Sequence, residues 1–134
     1  MTTTIHDPVF GAILFTKGSW LGEVRFEPTG RLVSILVRST ELRDRHRQFF
    51  LEVRERYPKL AAQVAPAIVE RYPYYTENFT AARVWEEFAL ERIEIVDSAG
   101  KPLLLVLWYA SLTERGCMLH FTFDNWNLHQ TAHN

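Results

Sequence analysis

Cysteine is nearly missing from this chain: Cys117 stands alone. No intramolecular disulfide can form, and a solitary thiol suits a reducing compartment, so a cytoplasmic location is expected. The glycines are few and scattered singly, and no Walker or dinucleotide fingerprint occurs among them, which removes the usual phosphate-cradling loops. No long apolar run exists either. The longest, residues 103–110, falls far short of the roughly 20 residues a membrane-spanning helix needs. Neither sign of charge prevails: 15 Lys and Arg face 16 Asp and Glu, giving a net charge of −1. Such a balance creates no long-range field for nucleic acid or an anionic membrane, and neither is expected as a partner. HExxH, paired CxxC and GxSxG motifs are all lacking. The opening residues, MTTTIHDPVF, show no basic stretch followed by an apolar one, so no secretory signal is expected.

Aromatic residues are abundant, at 13% of 134. Large core side chains account for many of them, and the length and 47% hydrophobic content suit one domain, 1–134, with a core needing no metal or disulfide staple. Residues 1–8 and 130–134 are expected as flexible ends. Trp20, Tyr74, Tyr75 and Trp126 are candidates for a partner-binding surface, because Trp and Tyr bury much area for few rotatable bonds.

The hydrophobic period changes twice. Residues 9–16 are β-rich, residues 20–26 alternate with Gly22, Val24 and Phe26 on one face, and residues 31–38 place Val33, Ile35 and Val37 together. Three strands in a meander follow from this period of two. Leu42, His46, Phe49, Phe50, Val53 and Tyr57 then fall on a helical stripe, with Ser39 or Thr40 able to cap its start. Pro58 is expected to stop this helix. Leu60, Val64 and Ile68 carry a second stripe that Pro66 should kink or split. After an irregular stretch, residues 71–78, a short helix over 80–88 aligns Ala81, Trp85 and Phe88 inward. Period two returns over residues 90–96, which end in the turn Asp97-Ser98-Ala99-Gly100. Residues 103–110 are continuously apolar, as a central strand covered on both sides would be. Cys117, Leu119, Phe121 and Phe123 share one face of a last strand. The fold class read from this order is α+β: an antiparallel sheet of about six strands, two meanders of three, with two or three helices packed on one face.

Chemistry is harder to find. His120, His129 and His133 lie near Asp124, and His129 and His133 are four apart, but no helix is expected there to bring them together, so no metal is assigned. Cys117 sits on an apolar strand face, with His120 pointing the other way, which reads as an inert thiol. Glu86 with Glu87, and Glu91 with Glu94, read as solvated carboxylates rather than an acid–base pair. The arginines at 43, 45, 47, 54 and 56 are interleaved with Glu41, Asp44, Glu52 and Glu55, the pattern of a solvated helix face. No cofactor or catalytic residue is assigned. What remains is an acidic and aromatic region, Tyr72, Tyr74, Tyr75, Glu77, Glu86 and Glu87, joined by Asp124 and Trp126, where carboxylates can steer a partner and aromatics anchor it.

Two phrases, Asp7-Pro8-Val9-Phe10-Gly11 and Trp20-Leu21-Gly22-Glu23-Val24, together with the strands over 90–96, 103–108 and 118–123, resemble a group of small bacterial domain-of-unknown-function families. Some of their members look like immunity proteins of toxin systems. The resemblance implies a binding protein with a protein partner, a toxin, and carries no catalytic residues. Two other readings stand beside it. One is a small enzyme or ligand-binding domain with a pocket between sheet and helices, where His46 or His120 would be the residue of interest. The other is a structural homodimer formed through an exposed strand edge.

Overall fold

In a computed structural model, residues 2–72 and 78–133 are described, the side chains of 130–133 excepted. Eight strands form one sheet in sequential order: β1 (Thr3–Asp7), β2 (Gly11–Thr16), β3 (Ser19–Phe26), β4 (Arg31–Arg38), β5 (Phe88–Val96), β6 (Leu104–Ser111), β7 (Met118–Asp124) and β8 (Asn127–His133). Between β4 and β5 run a long helix, α1 (Asp44–Arg71), a 3-10 turn (Ala81–Arg83) and a single helical turn, α2 (Val84–Glu87). The α+β class holds, and the six expected strands are present. The sheet is wider and of mixed type. Residues 3–7 and 130–133, expected within flexible ends, lie in the edge strands β1 and β8, so each meander has four strands. The meanders meet through a parallel pair, β4 and β5, in the register Ile35↔Ile93 and Val37↔Ile95. A parallel pair needs a long crossover, and α1 supplies it by carrying the chain back along the sheet.

Alternation decides which face is covered. Val33, Ile35, Val37, Ile93, Ile95, Leu105, Leu107 and Tyr109 are buried beneath α1, together with Phe50, Val53, Tyr57, Leu60, Val64 and Ile68 of the helix. The expected stripe is therefore real, but it is one helix and not two. Pro58 and Pro66 lie inside α1 with exposed rings. The carbonyls they leave without an amide belong to Arg54 and Ala62, one turn earlier on the same exposed side, where water can satisfy them. Neither Ser39 nor Thr40 caps the helix. Its first turn is closed by His46, whose Nδ1 accepts the Arg43 backbone N–H at 2.9 Å. Trp85 also departs from expectation: α2 turns Val84 inward and leaves Trp85 39% exposed.

β6 is covered by helix on one side only. Leu105, Leu107 and Tyr109 face α1, while on the other face Val106 is 8% exposed and Leu104 and Trp108 are half-buried. Glu94 lies on this second face, 5% exposed. Its carboxylate accepts the Trp108 Nε1–H at 2.8 Å and pairs with Arg38, and Trp108 stacks on His120 with centroids 4.5 Å apart.

The two phrases behind the family resemblance have structural roles. Asp7 Oδ2 accepts the Val9 and Phe10 backbone N–H groups at 2.9 and 3.0 Å, while Arg47 Nε donates to Oδ1 at 2.7 Å. This turn leads into Gly11 at φ +71° and pins Phe10 against Phe50. Gly22 lies opposite Ile13, and a Cβ there would come within 3.1 Å of the Ala12 carbonyl oxygen, so a larger residue would push β2 and β3 apart.

Candidate partner-binding site

The β7–β8 hairpin turns on two residues, Asn125 and Trp126, with φ of 51° and 67°. Two central residues at positive φ are what a tight type I′ connection demands. Asn accepts this conformation readily. A Trp does so at a steric cost, and glycine is the usual occupant of its position. The surroundings that hold Trp126 come from one line of α1, Phe49, Arg56 and Gln63, spaced at seven residues so that they share a helix face. The Phe49 ring stacks on the indole with centroids 4.9 Å apart, and the Arg56 guanidinium carbon sits 4.8 Å above the ring. Gln63 Nε2 donates to the Trp126 carbonyl at 3.0 Å, and its Oε1 accepts the Leu128 N–H at 2.8 Å. The turn is thus clamped by stacking, cation–π attraction and two hydrogen bonds.

A cleft opens on each side of Trp126. One, of about 300 Å³, has Glu52 and Asp124 on its walls and Phe49, Leu103 and Phe123 beneath. The other, of about 440 Å³, is bounded by Arg56, Lys59, Gln63 and Asn127. The half-buried indole is therefore a ridge between an acidic hollow and a basic one. Such a surface offers a partner an anchor and two signs of charge at fixed spacing.

The sequence-predicted residues do not all gather here. Asp124 and Trp126 do. Tyr72, Glu86 and Glu87 lie toward the opposite end of the sheet. Glu87 precedes β5, and its carbonyl accepts the Leu112 N–H at 2.8 Å, beyond the β6 end that pairs with Met118. From Met118 to Asp124 the chain runs the whole of β7, about 20 Å at strand rise. Tyr72 closes the C-terminus of α1 through its N–H to the Ile68 carbonyl, with burial pushing its phenol up. Exposed Glu86 approaches Arg83 at 3.6 Å. Tyr74, Tyr75 and Glu77 lie outside the described residues. Trp20, the other aromatic candidate, is 9% exposed against Phe15 and belongs to the core.

His46 is fully buried. Its Nδ1 is an acceptor, so Nε2 carries the hydrogen and donates to Asp97 Oδ2 at 2.7 Å. Burial alone would raise the Asp97 carboxyl; hydrogen bonds from His46 and Arg45 outweigh it and hold the group below its ordinary value. This histidine secures the start of α1 and borders neither cleft. His120 lies on the uncovered face of the sheet against Trp108. Burial, helped by Glu114, raises the Cys117 thiol, which disfavours the reactive thiolate. Among the described residues, no three His, Cys, Asp or Glu side chains group as a metal site would require.

The residues missed from sequence are the helix partners Phe49, Arg56 and Gln63. Their signal was the seven-residue spacing, together with the run Asp124-Asn125-Trp126-Asn127, whose Asn and Asp residues mark a turn. Comparison with protein-family models, curated proteins and solved structures finds no match, so function must be argued from these side chains.

Proposed function

We propose that this chain is a non-enzymatic binding protein that occludes a protein partner, and that the partner is a bacterial toxin for which it serves as the immunity protein. The observation that carries the reading is Trp126. A large aromatic residue occupies a backbone position suited to glycine, and the fold spends an aromatic stack, a cation–π contact and two hydrogen bonds to keep it there. Strain of this kind persists when its surroundings over-determine it, and it concentrates at functional sites. The indole is a preorganised anchor, so little conformational entropy is lost when a partner closes over it. The family resemblance points the same way, since blocking a toxin requires a rigid complementary surface and no reactive group.

The test is capture of partners by tagged protein in its native host, comparing wild type with Trp126→Gly. Glycine relieves the positive-φ strain and keeps the hairpin, so the variant should remain folded while losing the anchor. A partner encoded beside this chain, retained by wild type and bound at least tenfold more weakly by the variant, is the expected result. Equal capture by both proteins would remove this surface from consideration. No partner for either would remove the occlusion reading.

A further inference from the structure

A further cleft, of about 280 Å³, lies between the sheet and the helices where β4 and β5 begin. It exists because the parallel pair is incomplete. β4 begins at Arg31 and β5 at Phe88, yet their ladder begins only at Ser34↔Arg92, and a bulge between Leu90 and Arg92 shifts β5 against β6. The two strand starts stand outside the ladder, α1 roofs the opening with Tyr57 and Ala61, and α2 sets Trp85 at its side.

Two polar features bear on this space. Arg31 stands at the mouth, and among the described residues its guanidinium meets no carboxylate. Tyr57 supplies the second. Its hydroxyl lies 2.9 Å from that of Tyr109, and neither has another partner among the described residues. Two hydroxyls carry two hydrogens and share one bond, so one hydrogen lacks an acceptor. Tyr109 is fully enclosed, where an unmet donor is costly, so Tyr109 donates and the hydrogen without an acceptor is that of Tyr57, the one of the two that borders the cleft. Burial pushes the Tyr57 phenol up to about 12, so it remains a donor at neutral pH. Trp85, 39% exposed and 5.4 Å from Tyr109 between ring centroids, presents an aromatic surface that the described residues leave partly open.

We propose that this cleft binds a small aromatic carboxylate, its ring lying against Trp85 and Ala61, its carboxylate taken by Arg31, and an acceptor on the ring reaching the Tyr57 hydroxyl. The volume is at the low end for ligand sites and suits a single ring. An apolar ligand would leave both the cation and the donor unmet, and a large polyanion would find a single positive charge among the described lining residues. This inference is independent of the Trp126 surface, since the two sites share no lining residue.

The probe is 4-hydroxybenzoate, titrated into ¹⁵N-labelled full-length protein. The uncharged 4-hydroxybenzyl alcohol serves as the control, and Trp85→Phe assigns the Trp85 indole resonance. A saturable shift of that resonance and of the Ala89 amide is expected, with the alcohol and the Arg31→Gln variant each at least tenfold weaker. Arg31 is exposed, so its replacement leaves the fold intact. Tyr57→Phe should also weaken binding, with the amide spectrum reporting whether the core survives. Absence of any shift, or equal shifts for the alcohol or for Arg31→Gln, would overturn the proposal.

Discussion

Asp7 shows how much one side chain can organise. It is 6% exposed, and its two oxygens meet two backbone amides and Arg47. Burial would raise its carboxyl, but the Phe10 and Val9 amides and Arg47 together hold it below the ordinary value. Asp7→Ala would leave those amides and a guanidinium short of partners, at a cost of about 2–4 kcal/mol in urea denaturation. Asp97 is lowered in the same sense. A carboxyl depressed in the folded state contributes stability that is complete above its unfolded value, about 4, and is lost as pH falls through the folded value. The urea midpoint of the wild type should therefore hold above about pH 5 and decline below pH 4, more steeply than that of Asp97→Asn. Parallel curves would show that Asp97 contributes no such linkage.

α1 joins the residue scale to the fold. Its 28 residues span about 42 Å, and both prolines lie on the solvent side. Pro66→Ala would restore an amide able to bond the Ala62 carbonyl. The gain should be about 1–2 kcal/mol, less than the propensity difference of about 3, because proline also restricts the unfolded chain. Unchanged or lower stability would show that the missing amide costs this helix nothing. The stripe from His46 to Ile68 was legible in sequence because its period is local. Continuity through Pro58 and Pro66 was not, because it depends on which side of the helix the rings fall and on a core that holds both halves. Trp85 was misplaced for a related reason: a single turn carries too little periodicity to show which side faces the sheet.

The whole molecule is a continuous sheet whose halves meet at β4 and β5. Ile35 and Leu107, one on each side of that junction, are both fully buried. Their replacement by Ala should cost about 2–5 kcal/mol each. Because one core spans the junction, each variant should move a single transition, with tryptophan fluorescence and far-ultraviolet circular dichroism changing together. Separate transitions would show two halves unfolding independently.

Alternation and helical spacing alone determined six of the strands and most of the core, since side-chain direction repeats every two residues in a strand and every 3.6 in a helix. The edge strands β1 and β8 escaped because their pairing partners, not their own composition, make them strands. The parallel junction escaped because strand direction is set by where the crossover returns the chain. The sites divide in the same way. Asp124 and Trp126 could be named as candidates from residue type alone. Only tertiary structure set Phe49, Arg56 and Gln63 beneath that turn, placed Tyr72, Glu86 and Glu87 a strand's length away, and opened a cleft where two parallel strands begin before their ladder does.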